Sequence, residues 1–322
     1  MDFSMLPLIK KIKSSMPSPG RLFGASILLV FVAALSGYVV LGSKMRLSGD
    51  DYCYAALVQE RGFWGAQVYS YFNEVPYSGN RFSLTLFSDF AELADPKVNG
   101  MLPGLAIGLW VLGLAIAFRQ VSRLVGDSLP FIPAIAASSG VVFLTLYEAP
   151  MLGQVLYWRS GMLPYLAPLV TGSWSAAWIF AAARRSRNTL STLFGIALLC
   201  WLGAGFSETA GALQTGVLVV ALALLLVIRL NNRDLFRHAI GPVVAALLAT
   251  LAAMVFMFIA PSNHSHQLLF TATPDMLQVA LLSISYSRIF VQTSVIKLFW
   301  PNLFTVVLFG MLALVVMREQ NS

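Results

Sequence analysis

The stretch that decides the fold is residues 22–42, LFGASILLVFVAALSGYVVLG, which contains no charged side chain. A run of this length can cross the hydrocarbon core of a bilayer as an α-helix, which takes about 20 residues. It is longer than the apolar core of a typical signal peptide, and no clear small-x-small cleavage site follows it. We therefore interpret it as an uncleaved membrane anchor, preceded by a cytoplasmic tail over residues 1–21.

Further apolar runs continue along the chain and predict an all-α, polytopic bundle of transmembrane helices. The chain is 58% hydrophobic and only 11% charged, which excludes an ordinary soluble domain. After the anchor, the expected spans are 101–118, 129–147, 163–183, 189–206, 211–229, 239–260 and 301–317. The segment 276–296 is apolar but carries Gln278, Arg288 and Gln292, so it either spans with a polar face toward the bundle or lies at the interface. This gives eight or nine spans in one integral membrane domain over residues 1–322.

Basic residues alternate between the gaps that separate these runs. The net charge is +7, and the clusters precede the first span or fall in every second gap: Lys10, Lys11, Lys13, Arg21, Arg119, Arg123, Arg184, Arg185, Arg187, Arg229, Arg233 and Arg237. This is the positive-inside pattern, which accounts for the charge without nucleic acid as a partner. It places the N-terminus in the cytoplasm and predicts four extracytoplasmic gaps: 43–100, 148–162, 207–210 and 261–275.

The first extracytoplasmic gap, 43–100, is too long to be a simple connector, and long loops are usually functional. Seven of the 14 Asp and Glu residues lie in it, from Asp50 to Asp95. It is also rich in aromatic rings, which suit the headgroup layer of a membrane. Residues 51–61 and 81–92 can each form a short helix with one apolar face, and we expect both to lie flat on the membrane.

The paired carboxylates Asp50 and Asp51 are the strongest candidates for chemistry. Two adjacent acids repel one another, and a carboxylate beside a membrane can act as a general base toward a hydroxyl group. The alternative is that Ser48, Asp50 or Asp51 caps the helix that starts near Tyr52, since acids favour that end of a helix. Capping explains one acid better than two.

Two arginines on the same face can hold an anion. Arg81 follows a glycine turn and can offer its planar fork to a phosphate or carboxylate, or else pair with lipid headgroups or Glu74. Arg159 is flanked by Tyr157 and Trp158, whose rings can wall a sugar or lipid pocket. The alternative for this second group is an interfacial aromatic belt with a snorkelling arginine.

The last two extracytoplasmic gaps add further polar candidates. Glu208 lies near the membrane boundary, where acids are costly and often functional, although Arg81 or Arg159 could simply be its structural partner. Asn263, His264 and His266 form a polar loop that can line a phosphate pocket. Two histidines at this spacing lack a third ligand, so no metal site is predicted.

The order of these motifs resembles the GT-C superfamily of polytopic glycosyltransferases, and more closely a set of bacterial GT-C-like membrane proteins. The similarity covers about residues 20 to 270. It is carried by Gly49-Asp50-Asp51-Tyr52, by Ser78-Gly79-Asn80-Arg81-Phe82, by Tyr157-Trp158-Arg159-Ser160-Gly161, by Glu208-Thr209 and by Ala260-Pro261-Ser262-Asn263-His264-Ser265-His266.

The resemblance implies a donor sugar carried on a polyprenyl phosphate in the bacterial inner membrane. A loop acid, with Asp50 preferred over Asp51, deprotonates a hydroxyl of a glycan or lipid acceptor. The resulting oxygen attacks the anomeric carbon with inversion, and the lipid phosphate leaves. Arg81, Arg159 and the histidine loop stabilise the leaving group, because developing phosphate charge needs hydrogen-bond donors or cations. A monophosphate donor requires neither a metal nor a cofactor.

Two other classes of protein fit the same pattern. A membrane transporter or lipid flippase would use Glu208 and Arg288 as its key residues, but no repeated half or pair of broken helices supports it. A noncatalytic membrane subunit that holds a protein partner would tolerate neutralisation of both Asp50 and Asp51.

Overall fold

The computed structural model describes residues 19–75, 77–94, 96–124, 126, 129–185, 188–230, 232–263 and 275–307. All regular structure in these ranges is helical, as predicted. The helices are α1 Pro19–Gly42, α2 Asp51–Phe72, α3 Phe82–Glu92, α4 Pro96–Leu124, α5 Phe131–Tyr147, α6 Leu152–Tyr157, α7 Arg159–Tyr165, α8 Ala167–Ala183, α9 Leu190–Ala204, α10 Glu208–Ile228, α11 Arg233–Phe258 and α12 Met276–Val291. A π-helical turn over Gln292–Ile296 continues α12.

Six of these helical segments are long and apolar enough to cross a membrane: Gly24–Gly42, Val98–Leu124, Arg159–Ala183, Glu208–Ile228, Arg233–Phe258 and Met276–Ile296. Helices α5 and α9 are apolar but shorter, with 17 and 15 residues. Each coincides with an expected span. The expected span 301–317 is helical over residues 299–307, and its remainder lies outside the described residues.

The bundle is built from pairs of packed apolar helices. Helix α4 packs against α8 and α5, α1 packs against α5, and α11 packs against α9 and α10. One core cluster joins α1, α4, α5 and α8. Its buried side chains include Leu35, Trp110, Val142 and Leu166. Since lipid is as apolar as these side chains, close packing rather than hydrophobicity holds such helices together.

Helix α12 makes no comparable contact. None of its residues is buried, and the candidate span Met276–Ile296 has no buried share. Its polar residues Gln278 and Arg288 therefore do not face the other described helices, in contrast with one of the two arrangements expected for this segment.

The alternation of the gaps is confirmed by contacts between them. At one end, which we call the acidic end, the Trp158 indole N–H donates to the Ser48 carbonyl at 2.8 Å. The Asn80 amide donates to the Glu208 carboxylate at 2.7 Å, and the Ser262 N–H donates to the Tyr71 carbonyl at 3.2 Å. These bonds join all four gaps that were expected to be extracytoplasmic.

The other gaps meet at the opposite end, which we call the basic end. Here the Arg184 guanidinium donates to the Gln120 side chain at 3.0 Å, and the Asn188 amide donates to the His238 carbonyl at 2.8 Å. The described basic residues of these gaps are Arg119, Arg123, Arg184, Arg185, Arg229, Arg233 and Arg237. The sequence pattern thus separates the two ends of the bundle correctly.

The two predicted loop helices occur where expected. Helix α2 is broken at Gly62, whose φ of 68° and ψ of 170° suit glycine, so its first part ends at residue 61. Helix α3 spans Phe82–Glu92 and packs against α2. Trp64 and Phe90 expose 74% and 64% of their surface, which is consistent with apolar contact outside the chain.

Several loop aromatics are internal, which corrects the expectation that all of them suit the headgroup layer. Tyr54 and Tyr77 are buried, and their ring centroids lie 4.1 Å apart. Phe82 stacks on Trp201 of α9 at 4.0 Å. These rings attach the loop helices to the bundle, because aromatic pairs contribute more than their buried area alone.

Candidate functional site

A cluster of ion pairs around a fully buried arginine lies at the centre of the acidic end. Arg159, the first residue of α7, and Asp51, the first residue of α2, both have zero exposure. The Arg159 Nε atom is 3.6 Å from Asp51 Oδ1, and its guanidinium also contacts the Glu92 carboxylate and the Asn99 side-chain oxygen, the latter at 3.3 Å. The gaps 43–100 and 148–162 are thereby joined through buried charge.

The Asp51 carboxylate is satisfied from both gaps. Its Oδ1 atom accepts from the Ser160 N–H at 3.0 Å and from the Ser160 hydroxyl at 2.5 Å. Its Oδ2 atom accepts from the Ser48 N–H at 3.0 Å. A carboxylate with this many donors and no exposure has its hydrogen bonds satisfied within the protein and is closed to an acceptor molecule. This environment favours a structural contribution for Asp51 rather than the catalytic one expected for it.

Asp50 has the opposite environment. It is half-buried and occupies the N-cap position of α2, yet its side chain makes no capping hydrogen bond. The turn before it depends on Gly49, which has a φ of 53°, a value that favours glycine. Of the two adjacent acids, Asp50 is thus the one whose carboxylate is available to a ligand.

Asp50 and Arg81 both affect the pKa of Tyr54, in opposite directions. Burial raises the pKa of the Tyr54 hydroxyl well above its usual value, and Tyr77, Asp50 and Asp89 raise it further, whereas Arg81 lowers it. Such effects require the charged groups to lie near the phenol. Asp50 and Arg81 therefore both lie within electrostatic range of the Tyr54 hydroxyl.

Arg81 is held by Glu208 at the start of α10. The Arg81 Nε and Nη2 atoms lie 2.9 and 2.8 Å from Glu208 Oε2, while the Asn80 amide donates to Glu208 Oε1 at 2.7 Å. The structural-partner alternative for Glu208 is thus observed. The Arg81 Nη1 atom makes no hydrogen bond to the described residues, and the side chain retains 29% exposure, so one edge of the guanidinium remains free for an anion.

Tyr157 and Trp158 line an open cavity beside Asp50. The cavity has a volume of about 650 Å³, and its wall consists of Ser48, Gly49, Pro150, Met151, Gly153, Gln154, Tyr157 and Trp158. The Tyr157 hydroxyl donates to the Tyr38 carbonyl at 3.2 Å, which fixes the ring against α1. The volume lies within the usual range of small-molecule sites.

Of the predicted polar loop formed by Asn263, His264 and His266, the structure describes Asn263. The Asn263 amide donates to the carbonyls of Met257 and Phe258 at 2.6 and 3.2 Å, so it satisfies the C-terminal end of α11. His264 and His266 lie outside the described residues.

Sequence reasoning did not single out Asp89 and Glu92, although both are part of the cluster. They are three residues apart on α3, so they share a face of the helix. Asp89 has zero exposure; its Oδ2 accepts from Gln67 at 2.5 Å, and its Oδ1 has no hydrogen-bond partner among the described residues. Two acids on one face of an otherwise apolar helix were the available signal.

Asp89 is expected to make the stability of the protein depend on pH. Burial raises its pKa from 3.8 to about 7, against the lowering effects of Arg159 and Gln67, and Glu92 raises it further. Between these values the folded protein retains a proton that the unfolded chain has released, so stability decreases as pH rises through this window. Relative to wild type, Asp89→Asn should gain on the order of 3 kcal/mol between about pH 4 and pH 8. Thermal unfolding in detergent across that range measures the difference.

The matched control for this prediction is Glu74→Gln, which neutralises an exposed acid of the same loop. Its unfolding profile should run parallel to that of wild type. Parallel profiles of Asp89→Asn and wild type would contradict the raised pKa of Asp89.

The comparisons with known proteins give no relative. No family model matches the chain, and neither a curated protein nor a solved structure matches it.

Proposed function

We propose that this chain is a GT-C-type membrane glycosyltransferase, which transfers a sugar from a polyprenyl-phosphate donor to a hydroxyl of a glycan or lipid acceptor with inversion. The observation that carries the proposal is the placement of Asp50. Its carboxylate is available to a ligand. In the sequence, Asp50 directly follows Ser48 and Gly49, which line the same cavity as Tyr157 and Trp158. Aromatic rings beside an acid are a suitable wall for a sugar, since their faces are apolar and their edges are polar.

The orientation of the site follows from the charges of the two ends. The positive-inside rule assigns the basic end to the cytoplasm. The acidic end, with Asp50, then lies on the extracytoplasmic face of the bacterial inner membrane. Lipid-linked sugars are suitable donors there, because the donor reaches the site from within the bilayer.

In the proposed reaction, Asp50 takes the proton of the acceptor hydroxyl as its oxygen bonds to the anomeric carbon. The bond between that carbon and the phosphate oxygen breaks, and polyprenyl phosphate leaves with the electron pair. The free edge of the Arg81 guanidinium is the donor best placed to stabilise the phosphate. Glu208 and Asn80 fix its position. Arg159, which is buried and paired with Asp51 and Glu92, supports the loop rather than contacting the donor.

A noncatalytic membrane subunit is the second candidate. The observation that favours it is the pairing of both arginines with carboxylates, Arg159 with Asp51 and Glu92, and Arg81 with Glu208. Such pairs can hold loops together without any reaction. This candidate predicts a stable protein that transfers no sugar.

A donor screen distinguishes the two candidates. The full chain, purified and reconstituted in lipid, is given radiolabelled polyprenyl-phosphate sugars, with nucleotide sugars carrying the same label as the matched control. Transfer of label to a lipid or glycan acceptor is expected from one of the lipid-linked donors and from none of the nucleotide donors. A cooperatively unfolding preparation that transfers label from no lipid-linked donor would contradict the proposal and favour the subunit.

A further inference from the structure

A second cavity lies near the acidic end, between helices of the bundle and the segment that follows α12. It has a volume of about 460 Å³ and lies between α4, α5, α8 and the helical residues 299–307. Most of its wall is aliphatic or aromatic, with Trp110, Val141, Leu144, Leu166 and Leu169 among the lining residues. Helices α4 and α8 belong to segments that are apolar enough to cross a membrane. An apolar ligand is therefore the expected occupant.

The cavity is elongated along α5. Its lining extends from Val141 to Glu148, which corresponds to about 10 Å at 1.5 Å per residue. Glu148 is the C-cap of α5 and belongs to the gap that gathers at the acidic end. We call the end of the cavity at Glu148 its mouth. It carries the one charged residue of the lining, whereas the part of the wall formed by Val141 and Leu144 is apolar. A membrane lipid has the same polarity, with its head at the surface and its chain inside.

The mouth has one uncommitted charged group. The hydroxyls of Thr145 and Thr305 donate to the carbonyls of Val141 and Pro301, each at 2.8 Å. The Asn302 amide donates to Ser294 at 2.9 Å. By contrast, the half-buried Glu148 carboxylate makes no ion pair or hydrogen bond to any residue that the structure describes.

Glu148 lies at the C-terminal end of α5, where its negative charge adds to that of the helix end. The C-terminal end of a helix carries a partial negative charge from its unpaired carbonyls, so a carboxylate there is disfavoured unless a cation is near. Here the helix end and the carboxylate together make the mouth negative. An anionic headgroup is thereby disfavoured, and a positively charged one is stabilised.

We propose that this cavity binds one hydrocarbon chain of an amine-bearing membrane lipid, with the ammonium group paired to Glu148. This site is separate from the proposed sugar cavity and does not depend on the proposed function. It would select a cationic headgroup, whereas a site for the donor phosphate would select an anion. The two cavities share Pro150 in their walls, so a bound lipid would lie next to the sugar cavity.

Tryptophan quenching tests this proposal, because Trp110 lines the cavity. The probes are three C18 chains brominated at the same carbons, an octadecylamine, an octadecanol and an octadecyl sulfate, added to the purified full chain in a neutral detergent. The Trp110 signal is the difference between wild type and Trp110→Phe. We expect the amine to quench it at a roughly tenfold lower concentration than either other probe, as one charged hydrogen bond provides. Glu148→Gln should remove the preference without removing quenching by the alcohol.

Two controls separate specific binding from mixing of probe and micelle. Val141→Phe fills the cavity and should reduce quenching of Trp110 by all three probes, while Glu74→Gln should behave as wild type. The net charge of +7 attracts the sulfate to the protein in general, so a preference for the amine runs against bulk electrostatics. Equal quenching by the three probes in wild type, or an amine preference that persists in Glu148→Gln, would overturn the proposal.

Discussion

Replacing Arg159 with methionine is expected to lower the free energy of unfolding by about 3–5 kcal/mol. The substitution keeps a similar volume but leaves the carboxylates of Asp51 and Glu92 near one another without a cation. Asp51 has zero exposure, and the Glu92 side chain has 14%. A buried charge that loses its partner cannot recover the lost interaction from water. Marginal stability makes such a loss sufficient to remove much of the folded protein.

Thermal unfolding in detergent measures this effect, with Arg61→Met as the matched control. Arg61 lies in the same loop and pairs with Glu60 at 3.2 Å, with 40% and 67% of the two side chains exposed, and it lies over the Tyr69 ring. Because both contacts are open to water, its loss should cost about 1 kcal/mol. A triple variant with Arg159→Met, Asp51→Asn and Glu92→Gln should recover much of the stability. Equal effects of Arg159→Met and Arg61→Met would show that the cluster contributes little.

Replacing Asp50 with asparagine is expected to slow sugar transfer by roughly 100- to 10,000-fold, the usual contribution of a positioned general base. The amide is similar in size but cannot accept the proton of the acceptor hydroxyl. Because the Asp50 side chain makes no capping hydrogen bond, the stability of the protein should change by less than about 0.5 kcal/mol. Initial rates with a lipid-linked donor, measured beside thermal unfolding, give both values.

Two matched variants test whether the loss of activity is specific to Asp50. Glu74→Gln removes an exposed acid of the same loop and should retain full activity. Asp51→Asn disturbs the contacts to Ser48 and Ser160, so it should lower stability first and activity as a consequence. Asp50→Asn with transfer near the wild-type rate would exclude Asp50 as the base, even if the chain proves to be a glycosyltransferase.

The helical bundle and its two ends could be predicted from sequence because they depend on local signals. Apolar runs have the length of a bilayer, and basic residues alternate between gaps. The loop helices at 51–61 and 81–92 were also predictable, since their apolar residues recur with helical spacing. The break at Gly62 coincides with the end of the first pattern.

The difference between Asp50 and Asp51 could not be predicted in the same way. Adjacent residues at a helix start point in different directions, and the direction that becomes buried depends on what packs there. For Asp51 the partners are Arg159 and Ser160, about a third of the chain away. Spacing in one sequence does not indicate which of several arginines and acids will meet. The Arg159–Asp51 pair became visible only in the fold, and the sequence did not decide between Arg81 and Arg159 as the partner of Glu208.

The contacts that close the acidic end are distant in sequence, which constrains the order in which the protein can assemble. Asp51 and Ser160 are 109 residues apart, Arg81 and Glu208 are 127 apart, and Tyr71 and Phe256 are 185 apart. During synthesis, the first loop is therefore made before any of these partners exists. Its carboxylates remain hydrated until α7 arrives, and Arg81 remains unpaired until α10 inserts. Docking of the first loop is thus a late event in biogenesis, completed only when α11 has emerged.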